Sequence, residues 1–480
     1  MVLQTIVIPK KETSKALYYR ASKAVQPNSN DLYIPKGEIV SSDTYMNIFD
    51  IKTWKKYTKI SQLLFTMKFF GQAKVNIICE VEKGKKQILH TFISEEQKEQ
   101  CLEYELPKEL NEGFVYFEIE AFSDLKLYKA VFDTKEEETQ KIKLAIVICT
   151  YKRQKELEQT ITTIKKQIEF WKEEWIEVTI IDNASELENR YGKHITVYHN
   201  KNTGGTGGFT RGMEEVVKNL NNFDATHILL MDDDARLQFE SIVRLRAVLT
   251  YLKKEHLEKS IAGRMFRLDN RSIQYTALEL WDKGSIGHIG GNVDMTVKDS
   301  LWTMNENKGG MYGGWWFSCY PIEFIKTYKP IPFFLHCDDV ECGLRHGKTP
   351  IILNGIQVWH ENFEHRVKPT IVYYDVRNSL IVNSIWEKSC VTKRLWRMWA
   401  RRAVWLVTRK NYAEEYMALL GIKDYLKGFS WLYQVDSEQY HKQLCSKTKF
   451  SWWETVMLCV TVWFEIIFKY GKVKETYTNE

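Results

Sequence analysis

Four short apolar runs, each breaking off into polar residues, constrain this 480-residue chain more than any other feature. Leu144-Ala145-Ile146-Val147-Ile148-Cys149 ends in Thr150-Tyr151-Lys152-Arg153, and Glu177-Val178-Thr179-Ile180-Ile181 ends in Asp182-Asn183. Ile195-Thr196-Val197-Tyr198 ends in His199-Asn200, and His227-Ile228-Leu229-Leu230-Met231 ends in three aspartates. Runs without polar alternation need cover on both faces, as parallel strands between helices have. Strand, polar loop and helix in repetition predict an open α/β sheet whose ligands lie at the strand C-termini.

The flanks read differently. Residues 1–140 hold short β-rich runs (Gln62 to Phe70, Ala73 to Val81, Gln87 to Ile93, Gly113 to Phe122) separated by turns such as Glu82-Lys83-Gly84. They predict an N-terminal antiparallel sandwich or barrel. The acidic stretch Lys135-Glu136-Glu137-Glu138 reads as a solvated linker into a domain over 141–370. Residues 371–480 read as a helical region rich in Trp and basic residues. Its most apolar stretch, Thr455 to Phe468, carries Glu465 and is too short for the ~18–20 residues of a membrane span.

A net charge of +6 is too small to argue for a nucleic-acid partner, and no recognition module is evident. Nine cysteines, odd in number and without a CxxC pair, point to free thiols in a reducing compartment. The start, MVLQTIVIPKKETSK, has no apolar core of a secretory signal, so the expectation is a cytoplasmic protein.

Two acidic clusters carry the chemistry. Asp232-Asp233-Asp234 gathers three like charges after a buried strand, which a divalent cation with hard oxygen ligands would resolve; a solvated turn would also tolerate them. Asp338-Asp339-Val340-Glu341 follows Phe333-Phe334-Leu335-His336-Cys337, surroundings that raise a carboxyl pKa towards that of a general base. Acids at a helix N-terminus fit the same pattern. His360, in Val358-Trp359-His360, is a structural imidazole or the nitrogen ligand of an oxygen-rich metal site. Asn202-Thr203-Gly204-Gly205-Thr206-Gly207-Gly208-Phe209 reads as a turn that lets backbone amides approach an anion, and it does not match a P-loop. Gly309-Gly310-Met311-Tyr312-Gly313-Gly314-Trp315-Trp316 places two exposed-looking indoles where a sugar could stack.

In this order CTYKR (149–153), IDN (181–183), NTGGTGGFTRGM (202–213), MDDDARL (231–237), GGWWF (313–317), FLHCDDVECGLR (334–345) and VWH (358–360) resemble family 2 glycosyltransferases of the GT-A fold. NTGGTGGFTRGM, GGWWF and the β-rich N-terminus look more narrowly like bacterial galactofuranosyltransferases of cell-wall galactan synthesis. His336-Cys337 before the acid pair departs from the aromatic more usual there.

The resemblance implies an inverting, metal-dependent transferase moving galactofuranose from UDP-galactofuranose to a glycan, often lipid-linked. Asp232, Asp234 and His360 would hold Mn²⁺ or Mg²⁺, Asp339 would be the base, and Asp338 would bind acceptor or orient that base. Thr150, Arg153, Asp182, Asn202, Gly204, Gly205 and Asp233 would contact the donor, and Trp315 and Trp316 the acceptor. The basic-aromatic segment Lys393 to Trp405 suits peripheral docking on the inner face of the plasma membrane. Another donor, such as dTDP-rhamnose or a UDP-hexopyranose, and a non-catalytic glycan-binding scaffold stay open, as does a homo-oligomer.

Overall fold

The computed structural model describes residues 1–9, 14–28, 31–171, 174–188, 191–303, 310–362, 368–409 and 411–478; Gly309 of the second glycine-rich stretch lies outside them. The N-terminal strands form two sheets. One centres on β1 (Leu64–Phe70) and the other on β2 (Ala73–Glu82) and β3 (Phe114–Ala121), while β4 (Leu125–Asp133) joins β1. β2 and β3 pair antiparallel from Ala73↔Ala121 to Glu80↔Phe114. Period-2 alternation turns Val115, Phe117 and Ile119 to the core, where Phe117 meets Phe65 of the facing sheet at 5.8 Å. Two packed sheets make this a sandwich, of the alternatives that the sequence offered.

The α/β sheet is built from β5 (Leu144–Thr150), β6 (Ile176–Asp182), β7 (Ile195–His199) and β8 (His227–Asp232), with helix α1 (Gln154–Trp171) after β5 and α2 (Gly204–Lys218) after β7. Helix α3 (Phe239–Tyr251) follows β8. The parallel order is β7-β6-β5-β8, and the sheet is extended by antiparallel Ser318–Pro321 on β8. The registers Thr150↔Asp182, Asp182↔His199 and Cys149↔Asp232 bring the strand ends to one edge. A hairpin of β9 (Leu278–Asp282) and β10 (Ser285–Ile289) stands beyond that sheet. The next elements are α4 (Asp338–His346) and β11 (Gln357–His360).

The glycine-rich segment differs from the expected turn. Its glycines form the first turns of α2, because a helix there must press close onto β5. A Cβ on Gly208 would lie 2.1 Å from Cys149 Sγ. Gly204, at φ +72°, would carry its Cβ into the Phe334 carbonyl, 2.0 Å away.

The acidic linker is also more tightly held than a solvated strand. Glu136 Oε1 accepts the amides of Ser61 and Gln62, at 2.8 and 2.7 Å, and Thr139 donates to the Thr250 carbonyl. Sandwich and α/β sheet share one core, and its polar stitch is buried Arg244. Arg244 donates to Glu240 at 3.1 Å, to the Asn354 carbonyl at 2.7 Å and to the Met46 carbonyl at 2.5 Å.

The C-terminal helices α5 (Pro369–Trp386), α6 (Val391–Thr408), α7 (Tyr412–Tyr425) and α9 (Trp452–Thr478) pack together, and α8 (Ser437–Ser446) sets Leu444 in a smaller cluster with Phe334, Tyr373 and Met417. The apolar faces of the first four enclose Phe333, Cys337 and Val340 in a common core, so they are continuous with the segment that bears the second acid pair. Among the described residues no helix is long and apolar enough to cross a membrane.

Candidate active site

The first acidic cluster sits where β8 runs out of partners. Asp232 is half-buried at the strand end, and Asp233 and Asp234 are buried in the turn after it. β11 brings His360 to the same point, with Nε2 2.9 Å from Asp234 and 3.5 Å from Asp232. Nδ1 lies 2.8 Å from the Glu361 carbonyl, which only accepts, so Nδ1 carries a hydrogen and Nε2 faces the carboxylates. Burial alone would lower the imidazole pKa. Hydrogen bonds to Asp232 and Asp234, and their charges, override it and carry the value to about 10. Ligand atoms of Asp232, Asp234 and His360 lie within 4.8 Å of one another, the one such group among the described residues. Two carboxylates and an imidazole fit Mn²⁺ or Mg²⁺ chemically.

Asp233 turns away from this trio. Its carboxylate accepts Thr150 Oγ1 at 2.6 Å and Arg153 Nη1 at 3.3 Å; burial nonetheless lifts it to about 7. Arg153 also reaches Asp234 at 2.8 Å and so holds the turn together.

The second pair opens α4. Asp338 accepts Thr206 Oγ1 from α2 at 2.8 Å, and Asp339 accepts the Val340 amide at 2.8 Å. Desolvation holds the Asp339 carboxyl well above the usual carboxylate range, and the charges of Glu279, Asp338 and Asp232 add to it. Before the pair the backbone is strained: Phe334, His336 and Cys337 have φ of 74°, 64° and 67°. Helix α5 fixes them. Asn378 Nδ2 donates to the carbonyls of Leu335 (2.6 Å) and His336 (2.9 Å), Arg377 donates to that of Phe333 (2.6 Å), and Asp375 meets His336 at 2.7 Å.

Two solvent-open cavities meet here. One, of about 500 Å³, is lined by Thr150, Arg153, Asn202, Gly204, Gly205, Asp232 and Asp233. The other, of about 390 Å³, is lined by Asp232, Asp338, Asp339, Trp315 and Trp316. Gly205, Phe209, Asp232 and Leu335 belong to both.

Two expected contacts differ. Asp182 is buried, with its carboxylate accepting the amides of Ala184, Glu186 and Leu187, and does not line the cavity; Asn183 does. Trp315 and Trp316 are each 4% exposed rather than open platforms. Trp316 Nε1 donates to the Gly263 carbonyl, and Trp315 packs edge-on against Phe209. Both indoles still line the smaller cavity.

Sequence reading missed further lining residues. In the smaller cavity, Glu279 of β9 lies 3.5 Å from His288, whose other ring nitrogen is 3.3 Å from the Tyr275 hydroxyl. The available signal was Glu279 alternating with Trp281 on a buried strand face. His441, Lys442 and Cys445 of α8 close the larger cavity, and nothing in their local sequence marks them.

Residues 3–135 match the model of the galactofuranosyltransferase 2 N-terminal family, and residues 145–290 match glycosyl transferase family 2. Galactofuranosyltransferase GlfT2 of Mycobacterium tuberculosis is 24% identical over 76% of this chain and 62% of its own length. GlfT2 of Mycolicibacterium smegmatis is 23% identical over 76% of the chain and 60% of its own. The chain thus spans about three-fifths of the length of these relatives. Among solved structures, S. aureus TarS aligns at 12% identity and a TM-score of 0.37, over 70% of this chain and 55% of that one, a likeness too distant to inform the site.

Proposed function

We propose that this chain, whose residues 145–290 match glycosyl transferase family 2 and residues 3–135 the galactofuranosyltransferase 2 N-terminal family, transfers galactofuranose, with inversion, from UDP-galactofuranose to a glycan acceptor. The observation that carries this reading is the meeting of both acidic clusters and His360 around two adjoining cavities that share Asp232.

The larger cavity takes the nucleotide diphosphate end of the donor, between Thr150, Arg153, Asn202 and the amide end of α2 at Gly204 and Gly205. Asp233 acts through Thr150 and Arg153, which it positions. Asp232, Asp234 and His360 would hold Mn²⁺ or Mg²⁺, which supplies charge neutralisation to the departing diphosphate. The acceptor enters the smaller cavity along Trp315, Trp316 and Asp338. Asp339 removes the proton from its hydroxyl as that oxygen bonds to the anomeric carbon and the carbon–oxygen bond to the diphosphate breaks. The raised affinity of Asp339 for a proton matches that task. GlfT2 is the name of both curated relatives, and it favours galactofuranose over other sugars.

We assign residues 1–140, 141–370 and 371–480 to the sandwich, transferase and helical regions. We place the protein on the cytoplasmic face of the membrane, with a lipid-linked glycan as acceptor.

The test is nucleotide diphosphate release from a panel of nucleotide-sugars with acceptor glycan, with Mn²⁺ or EDTA, for wild type and Asp339→Ala. UDP release from UDP-galactofuranose that needs both the metal and Asp339 is expected. Release from another donor alone discards galactofuranose, and silence with acceptor present favours the glycan-binding scaffold.

A further inference from the structure

Helix α6 is strongly basic. Val391–Thr408 contains no acidic residue, and Lys393, Arg397 and Arg401 recur at four-residue intervals, which stacks three like charges along one stripe. Arg402, off that stripe, pairs with Glu415 at 3.4 Å. Among the described residues, Lys393, Arg394, Arg397 and Arg401 pair with no carboxylate.

The stripe faces a concavity. With the tip of the β9–β10 hairpin it encloses a cavity of about 530 Å³, lined by Lys283 and Ser285 on the hairpin and Lys393, Arg394, Arg397 and Arg401 on the helix. Arg394 braces the two walls by donating from Nη2 to the Gly284 carbonyl, and its buried Nε finds no hydrogen-bond partner. Glycine is required at that contact, since a Cβ on Gly284 would lie 2.2 Å from the same Nε. Asp282 stands 4.0 Å from Lys283, with both side chains 70% exposed, and offsets one charge of five. A solvated basic face would spread such charges apart. Here two elements converge them beside the Ser285 hydroxyl, a donor set that phosphate oxygens accept.

The position is informative too. β9 and β10 carry Glu279 and His288 into the smaller active-site cavity, while their connecting turn carries Lys283 into the basic one. At ~3.3 Å per strand residue the two lie on the order of 10 Å apart along one hairpin, a spacing that a short oligosaccharide bridges.

We propose that the cavity between the hairpin tip and α6 binds a phosphate or diphosphate ester, separate from the donor site. Its two sources are a phosphorylated end of the acceptor and the headgroup of a membrane lipid. The proposal rests on the transferase reading only for the first source.

The experiment is calorimetric titration of the full chain with inorganic pyrophosphate, in EDTA and saturating UDP so that the donor cavity is filled. Wild type is compared with Lys393→Ala/Arg397→Ala, two exposed positions, and with Arg402→Ala on the same helix; thermal melts report folding. The expected result is a single wild-type site, weakened about tenfold or more in the double variant and unchanged in Arg402→Ala. Absence of wild-type binding at millimolar pyrophosphate, or equal weakening by Arg402→Ala, overturns the proposal. Repeating the titration with a glycan bearing a terminal phosphate and with short-chain phosphatidylglycerol identifies the source by which ligand binds more tightly. No arm reads turnover, so failure of the transferase reading and failure of this site are separate results.

Discussion

His360 Nε2 lies between two aspartates, where a proton and the proposed divalent cation would compete for the same place. The raised value of about 10 means that the imidazole is protonated at neutral pH when no metal is bound. Binding Mn²⁺ at Nε2 must release that proton, so affinity rises with pH and levels off as pH passes the metal-free value. Between pH 6.5 and 8.5 the Mn²⁺ association constant should rise about tenfold per unit, with about one proton released per ion. Calorimetry in two buffers of different ionisation enthalpy measures both; affinity flat across that range would remove His360 from the metal set. Single residues were legible where chemistry made them incongruous: three acids after an apolar strand, or a histidine after Val358-Trp359. Asp182 was ambiguous because a carboxylate at a strand end serves equally well to meet a ligand or to cap a loop, and here it accepts three loop amides. His441 and Lys442 were illegible because their role depends on where α8 packs.

At the scale of elements, the strained segment before α4 depends on α5. Three non-glycine residues with positive φ within Phe334–Cys337 cost about 1–3 kcal/mol each. Asn378 answers two of the carbonyls that this path leaves open. Asn378→Ala removes both hydrogen bonds in a buried setting, an expected loss of about 1–3 kcal/mol. The acid pair then loses its fixed approach, so kcat should fall more than the donor KM changes. Thermal melts and steady-state kinetics check both, and a variant with wild-type kcat would show that α5 does not position the pair. The parallel strands were plain in the sequence, since uninterrupted apolar runs admit few other folds. The first turns of α2 were not: glycines are poor helix formers, and their use in packing α2 onto Cys149 is a tertiary fact.

On the scale of the molecule, the helical region is structural and also presents a surface. Its core encloses Phe333 and Val340, yet α9 leaves Trp453, Met457, Val460, Phe464 and Phe468 exposed, by 69%, 62%, 44%, 49% and 74%. Residues spaced three to four apart fall on one side of a helix, and so large an apolar stripe needs a cover. With the cationic α6 packed beside it, an anionic bilayer is the cover that the docking proposal predicts. Wild type should sediment with phosphatidylglycerol vesicles in low salt and much less in high salt, and Trp453→Ser/Phe468→Ser should reduce the bound fraction several-fold. Sedimentation insensitive to both changes would reject this docking mode. Composition hinted at this surface through clustered Trp and Arg, but which rings face outward depends on the packing of α9 against α6 and α7.

The two cavities of the candidate site adjoin and share a wall of Gly205, Phe209, Asp232 and Leu335. Two rooms with one shared wall allow one to be emptied while the other stays occupied. On the proposed transferase reading, spent nucleotide would leave and fresh donor arrive while the acceptor keeps its place, an arrangement that suits repeated rounds on one guest as readily as a single visit.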